Sequence, residues 1–245
     1  MAAAIEVRGV SKSFKIPHEH RVFFKDYFLQ PFRRTTYETN AALQDVSFTV
    51  EAGEFFGVFG PNGSGKSTLL RILAAIYVPD RGVVRVNGLL SPFIELGVGF
   101  NLELNARDNI RINGTLAGLS TRQIDSRFEA ILEFSELERF VDQKLKNYSS
   151  GMLMRLAYSI AIQIPFDILL LDEVLAVGDE SFQQKCFATF DRFKEEGKTV
   201  VLVTHDLNLL SEFCDRVLLL ESGAVRAIGH ADEVVGVYRE HALAW

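Results

Sequence analysis

The stretch FFGVFGPNGSGKSTLLRILAAIY, residues 55–77, constrains the fold of this chain more than any other. Residues 54–59 read as a buried strand and residues 66–76 as a helix with one apolar face. Between them Gly60, Pro61, Asn62, Gly63, Ser64, Gly65, Lys66, Ser67 and Thr68 fit the spacing G-x-x-x-x-G-K-[ST] in the strand–loop–helix setting that the pattern requires. Gly63 and Gly65 let the main chain approach a ligand closely, and the N–H groups of such a loop converge on one point. The helix that starts near Lys66 turns its positive end toward the same point. Phosphate is the matching ligand: Lys66 reaches the β- and γ-phosphates of a nucleoside triphosphate, and Ser67 offers its hydroxyl to Mg²⁺. A merely flexible Gly/Ser loop does not account for Lys66-Ser67 at this spacing.

Such a loop needs a metal-side carboxylate at the end of a second buried strand. FDILLLDEVLAVGDE supplies one: residues 168–171 are apolar throughout, as in a central parallel strand, and Asp172-Glu173 follows. Adjacent buried acids are costly unless a cation or a proton compensates them. Asp172 therefore suits the Mg²⁺ shell, and Glu173 the general base, or polariser, of an attacking water. KTVVLVTHDLNLL ends a later strand in His205, placed at the carboxyl edge of the sheet to sense a γ-phosphate. A purely structural histidine is the plainer alternative.

With 245 residues, 48% of them hydrophobic, the chain has enough material for a full core, as one large domain or two lobes. A net charge of −6 argues against general nucleic-acid binding. Cys186 and Cys214 lack metal-ligand spacing and read as reduced core thiols of a cytosolic protein. MAAAIEVRGVSKSF has no secretory pattern, and no segment approaches the roughly 20 apolar residues that cross a bilayer, so the chain is expected to be soluble by itself.

NYSSGMLMRLAYSIAI places Ser149, Ser150 and Gly151 before a helix, between the glycine-rich loop and the Asp172-Glu173 strand. Alone, this is an ordinary helix cap. Beside the other motifs it resembles the signature segment of ATP-binding-cassette (ABC) ATPases, with Tyr-Ser-Ser-Gly-Met in place of the usual Leu-Ser-Gly-Gly-Gln. AVGD resembles that family's D-loop with Asp179 in its acidic position, His205 matches the switch histidine, and VSKSF and LQDVSFTVEAGE match family strands.

The resemblance covers essentially the whole chain. It implies an α/β P-loop NTPase with a mostly parallel sheet and an antiparallel N-terminal β part. Residues 1–97 and 166–245 would form the catalytic lobe, and residues 98–165 a helical signature lobe. It also implies a head-to-tail homodimer, in which Ser149, the Gly151 N–H and the helix behind them face the ATP held by the other subunit. Adenine is expected to stack on Phe14, with Tyr37 as second choice; core packing is the competing role for Phe14.

ELGVGFNLELNARDNIRINGTLAGLS, YSSGMLMRLA and LDEVLAVGDESFQQKC resemble one branch, the exporters of teichoic acids, O-antigens and related lipid-linked polysaccharides. That implies an ATPase subunit peripheral to the cytoplasmic face of the bacterial inner membrane. It would work as a homodimer under two integral membrane subunits that handle the polysaccharide. The family's usual Gln is missing before this segment, and Glu95 is the nearest polar candidate for a contact to Mg²⁺ or water. Gly97 and Gly99 flank Val98 in a bend where the coupling helix of the membrane subunit would dock. Residues 18–40 are an insertion relative to a minimal cassette. In it Val22, Phe23 and Tyr27 share an apolar stripe that Pro31 ends, with Arg21, Lys25, Arg33 and Arg34 around it. That fits an interfacial helix facing anionic headgroups, or a helix packed on the adjacent lobe.

A hairpin is expected in GVVRVNG, closed by Asn87-Gly88, and strands alternate with helices from residue 166 onward. RVLLLESGAVRAIGHADEVVGVYREHALAW resembles the closing hairpin and last helix of the family. The sequence stops at Trp245 without a C-terminal carbohydrate-binding sandwich, so substrate recognition is expected elsewhere, or export is expected to be tied to synthesis. Three other readings compete: an ABC exporter of another lipid or a drug, a soluble cassette of DNA repair or translation, and a P-loop kinase. One P-loop, no coiled-coil heptads and acidic charge disfavour the soluble cassettes. Glu173 and the signature segment disfavour the kinase.

Overall fold

The computed structural model describes residues 3–17, 37–93, 99–172 and 180–242. Strands β1 (Ala3–Pro17), β2 (Tyr37–Glu51) and β4 (Arg81–Val86) form an antiparallel sheet in the order β2-β1-β4. The second sheet uses β3 (Phe55–Phe59), β5 (Leu90–Phe93), β6 (Ile168–Asp172), β7 (Thr199–Val203), β8 (Arg216–Glu221) and β9 (Ala224–His230). Their order is β5-β6-β7-β3-β8-β9; the first five are parallel, and β9 is the antiparallel hairpin partner of β8. The helices of the described residues are α1 (Lys66–Leu73), α2 (Ala106–Leu116), α3 (Thr121–Ser135), α4 (Ser150–Gln163), α5 (Glu180–Glu195), α6 (Leu207–Phe213) and α7 (Ala231–Ala242).

The continuous apolar runs of β3, β6 and β7 are buried on both faces, as a parallel sheet with two covered sides demands. Phe55, Phe59, Leu169, Leu171 and Leu202 point into one core, with α4 to α7 over them. Phe56, Val58, Ile168, Leu170 and Val203 point into the other, closed by α1 and the small sheet. A third core joins α2, α3 and α4 through Ile110, Ile124, Phe128, Leu132 and Leu156. Helix α4 serves two cores at once: Met154 and Tyr158 face the sheet, Leu156 and Ile160 the neighbouring helices. That explains why SGMLMRLAYSIAIQ is apolar around much of its circumference. Helix α3 starts in a capping box, in which Ser120 N–H donates to Gln123 Oε1 (2.9 Å) and Gln123 N–H donates to Ser120 Oγ (3.4 Å).

Two expectations are corrected. Asn87-Gly88 does not close a hairpin: β4 pairs with β1, whereas β5 pairs with β6. Asn87 N and Nδ2 donate to Ala4 O and Ala3 O (2.8 Å each), prolonging the small sheet, and Leu89 N donates to Asp167 Oδ2 (2.8 Å) in the large one. The dipeptide carries the chain from one sheet to the other. Helix α1 ends at Leu73 rather than at residue 76, because Ala75 takes the left-handed conformation (φ 58°). Ile76 N then donates to Arg71 O (2.8 Å) and Ala75 N to Ile72 O (3.0 Å), a Schellman ending built without glycine. Cys186 and Cys214 are buried and not disulfide-bonded, and burial pushes both thiols up to about 12. Among the described residues, no helix is long and apolar enough to cross a membrane.

Candidate nucleotide-binding site

Because β6, β7 and β3 are adjacent and parallel, their carboxyl ends share one edge. Strand β3 runs into Gly60, β7 leads to His205, and β6 ends at Asp172. Asp172 is in register with Val203, and Val203 with Val58. At about 4.8 Å between strands, Asp172 therefore lies roughly 10 Å across the sheet from the root of the loop. The chain beside His205 is fixed on both sides. Thr204 N donates to Val58 O (3.4 Å), and Asp206 caps α6 by accepting from Asn208 N (2.8 Å).

The loop is braced from inside. Lys66 is 8% exposed, and its Nζ donates to the carbonyl oxygens of Gly60 (2.9 Å) and Pro61 (3.1 Å). Among the described residues, no carboxylate lies within ion-pair distance of that ammonium. A buried cation satisfied only by neutral oxygens is a seat for an anion. Ser64 is 2% exposed, and its Oγ is buried with no hydrogen-bond partner among the described residues. Gly65 caps α1 with φ 106° and no side-chain cap, so no side chain of the cap competes for the N–H groups of the first turn. Gly60 packs so closely on β8 that a Cβ there would stand 2.0 Å from Leu220 O. Asn62, Gly63 and Ser67 are exposed, and Thr68 is half-buried.

These features fit a phosphate ligand. They fit Mg²⁺ in kind as well: Ser67 and Asp172 are oxygen donors, and Mg²⁺ ordinarily takes one or two carboxylates while phosphates and water complete its shell. Among the described residues, no three His, Cys, Asp or Glu form a ready-made metal cage.

Ser149, Ser150 and Gly151 sit elsewhere, at the amino end of α4, and among the described residues they share no hydrogen bond with the loop. Ser149 is the N-cap and accepts from Met152 N (3.2 Å). A hydroxyl has one donor and two acceptor positions, so capping leaves its O–H available to a ligand. A Cβ on Gly151 would meet nothing closer than Ser149 Oγ at 3.9 Å, so packing within this chain does not require glycine there. Phe14 is half-buried, edge-to-face on Tyr77 (5.6 Å between centroids, 64°). Glu173, Asp179 and Glu95, the bend at Gly97 and Val98, and the stripe of residues 20–32 lie outside the described residues.

Two features escaped the sequence reading. An apolar groove of about 750 Å³ runs between β5, α2 and α4, lined among others by Tyr77, Leu90, Phe100 and Ile160, with Leu89 and Leu116 exposed at its rim. Leu116, a large apolar residue ending α2 on its solvent side, was the available signal. The second is Glu136, the left-handed C-cap of α3 (φ 59°). It accepts from Lys185 Nζ and from Arg155 Nη1 (2.7 Å), tying α3 and α4 to α5. These bonds hold its carboxyl below the usual carboxylate range. Its three members are far apart in sequence, so no local pattern could reveal it.

The chain matches the ABC transporter family over residues 43–176. It is 40% identical over 243 residues to the O-antigen export system ATP-binding protein RfbB of Klebsiella pneumoniae, covering 98% of this chain and 99% of that protein. It is 40% identical over 233 residues to the teichoic acids export ATP-binding protein TagH of Shouchella clausii (strain KSM-K16), covering 95% of this chain and 64% of that protein. Among solved structures, its fold is similar to the post-hydrolysis dimer of the ATP-binding cassette MJ0796 bound to ADP and Pi. That likeness has a TM-score of 0.76 at 24% identity, over 93% of this chain and 98% of the other. The family match takes in residues 60–68, residues 149–151 and the Asp172 strand together, and the chain belongs to the ABC transporter family.

Proposed function

We propose that this chain is the nucleotide-binding subunit of an ABC exporter and hydrolyses ATP to ADP and phosphate. Its work is the export of a lipid-linked polysaccharide of the teichoic acid or O-antigen type. The reading rests on Lys66, a buried ammonium whose partners among the described residues are neutral, in a loop that shares one sheet edge with Asp172 and His205. The names of the relatives support the class of cargo.

Residues 60–68 hold the phosphates of ATP, with Lys66 leaving its carbonyl partners for the β- and γ-oxygens. Ser67 and Asp172 would hold Mg²⁺, which would supply positive charge against the negative charge of the transferred phosphoryl group. Glu173 orients and deprotonates the attacking water, and His205 contacts the γ-phosphate. Two copies pair head to tail, so that Ser149, Ser150 and Gly151 of one close over the nucleotide of the other, with Asp179 at the seam. Phe14 stacks on adenine, and Glu95 faces the water or metal from the lobe hinge. In this reading the groove at Leu116 receives an apolar helix of a membrane subunit, and the chain works at the cytoplasmic face of the membrane.

Lys66→Met tests the reading. It keeps the buried stem and removes two charge-assisted bonds to phosphate, an expected loss of about a hundredfold or more in ATP affinity. Stability is expected to hold, since a buried charge is removed. A Lys66→Met chain that hydrolyses ATP at the wild-type rate would overturn the assignment.

A further inference from the structure

We propose that the β8–β9 turn, Ser222-Gly223, together with Gln44 of β2, positions the phosphate loop from behind. The proposal deepens the nucleotide-site reading and rests on it. Gly223 N–H donates to the carbonyl oxygen of Ser64 at 3.0 Å. In a trans peptide the carbonyl and the following N–H point in opposite directions. Holding Ser64 C=O toward the turn therefore holds Gly65 N–H away from it, aimed out of the far side of the loop.

The turn is itself tied to the small sheet. Gln44 N donates to Gly223 O (2.8 Å), and Gln44 Nε2 donates to Ser222 O (2.9 Å). Gly223 is buried with φ 80°, and a Cβ on it would stand 2.8 Å from Ala42 O. The same carbonyl stands 2.4 Å from where a Cβ on Gly65 would lie. Loop, turn and β2 thus meet backbone to backbone, with no room for a side chain between them. A joint packed this closely transmits a displacement rather than absorbing it. A displaced Gly65 N–H no longer meets a phosphate oxygen at hydrogen-bond geometry, so the joint sets nucleotide affinity as well as stability. Gln44 and Gly223 are positioning residues; in this reading neither touches the ligand.

The test titrates Mg·ADP onto the full chain by calorimetry, alongside thermal unfolding. Gln44→Met keeps the length of an exposed side chain and removes the Nε2 donor, and its ADP affinity is expected to fall about two- to tenfold with little change in thermal midpoint. Gly223→Ala is expected to lose tenfold or more, and in ATP hydrolysis both variants raise KM more than they lower kcat. Should Gly223→Ala fail to fold, Gln44→Met decides alone. Wild-type affinity in Gln44→Met, whatever its midpoint, overturns the positioning role while the nucleotide site stands. A wild-type chain that binds no Mg·ADP overturns the site reading and this inference with it.

Discussion

Arg216→Met is expected to destabilise the chain from the end of β3 opposite the phosphate loop. Glu54, immediately before that strand, has a side chain only 7% exposed, and accepts from Arg216 Nη1 (3.1 Å) and from Glu51 N (2.7 Å). Arg216 also lies over the ring of Phe56, 5.6 Å from its centroid. Burial raises the Glu54 carboxyl above its ordinary 4.5, against the opposing pull of the Glu51 N–H and Arg216. Without Arg216 the carboxylate is buried and uncompensated, which costs about 3–5 kcal/mol at neutral pH. At about 2–4 °C per kcal/mol for a chain of this size, the thermal midpoint falls roughly 6–20 °C. Replacing both partners, Glu54→Leu with Arg216→Met, is expected to recover most of the loss.

The pH dependence has a definite sign. A carboxyl whose folded pKa is raised contributes stability that is fully present below its unfolded pKa and is lost as pH rises through the folded one. Removing Arg216 raises the folded value further, so the penalty of Arg216→Met is largest near pH 8 and shrinks toward pH 5. Urea unfolding of wild type, single and double variants at both pH values measures this. A single variant costing under about 1 kcal/mol, or equally costly at both pH values, would refute the uncompensated-charge argument.

Two further outcomes test the membrane side. Leu116→Glu, at a position 74% exposed, is expected to change stability by less than about 0.5 kcal/mol and to leave ATP hydrolysis by the isolated chain intact. Co-purification with the membrane subunits is expected to drop, and full retention would remove the groove from docking. Deleting residues 20–32 is expected to impair export while ATP binding survives; unchanged export would count against a membrane-side role for that segment.

The parts of the molecule legible from sequence are those written locally. The strand–loop–helix at residues 55–73 and the apolar run of β6 each follow from spacing or periodicity within about twenty residues. The closing hairpin of β8 and β9 and helix α7 stand where the family resemblance put them. What was not legible depends on partners far away in the chain. Asn87-Gly88 reports a readiness to turn, but not that β4 had already been claimed by β1. Ala75 ends α1 left-handed without the glycine that would have announced it. For Ser149 the sequence left a choice between helix cap and ligand contact, and the geometry removes the conflict, since the cap uses the oxygen as acceptor and leaves the proton. No local pattern could join Gly223 and Gln44 to the loop, because Gly223 bonds Ser64 about 160 residues away and Gln44 bonds Ser222 and Gly223 about 180 residues away.

In the proposed dimer each copy completes the other's nucleotide site, and a crystal structure of Glu173→Gln with Mg·ATP puts that pairing to the test, because slowed turnover keeps the triphosphate in place. Two chains related by a two-fold axis are expected, with Ser149 Oγ and Gly151 N of each within hydrogen-bond distance of the γ-phosphate bound on the other's loop. ATP held by residues 60–68 with both copies of Ser149 remote from any γ-phosphate would contradict it.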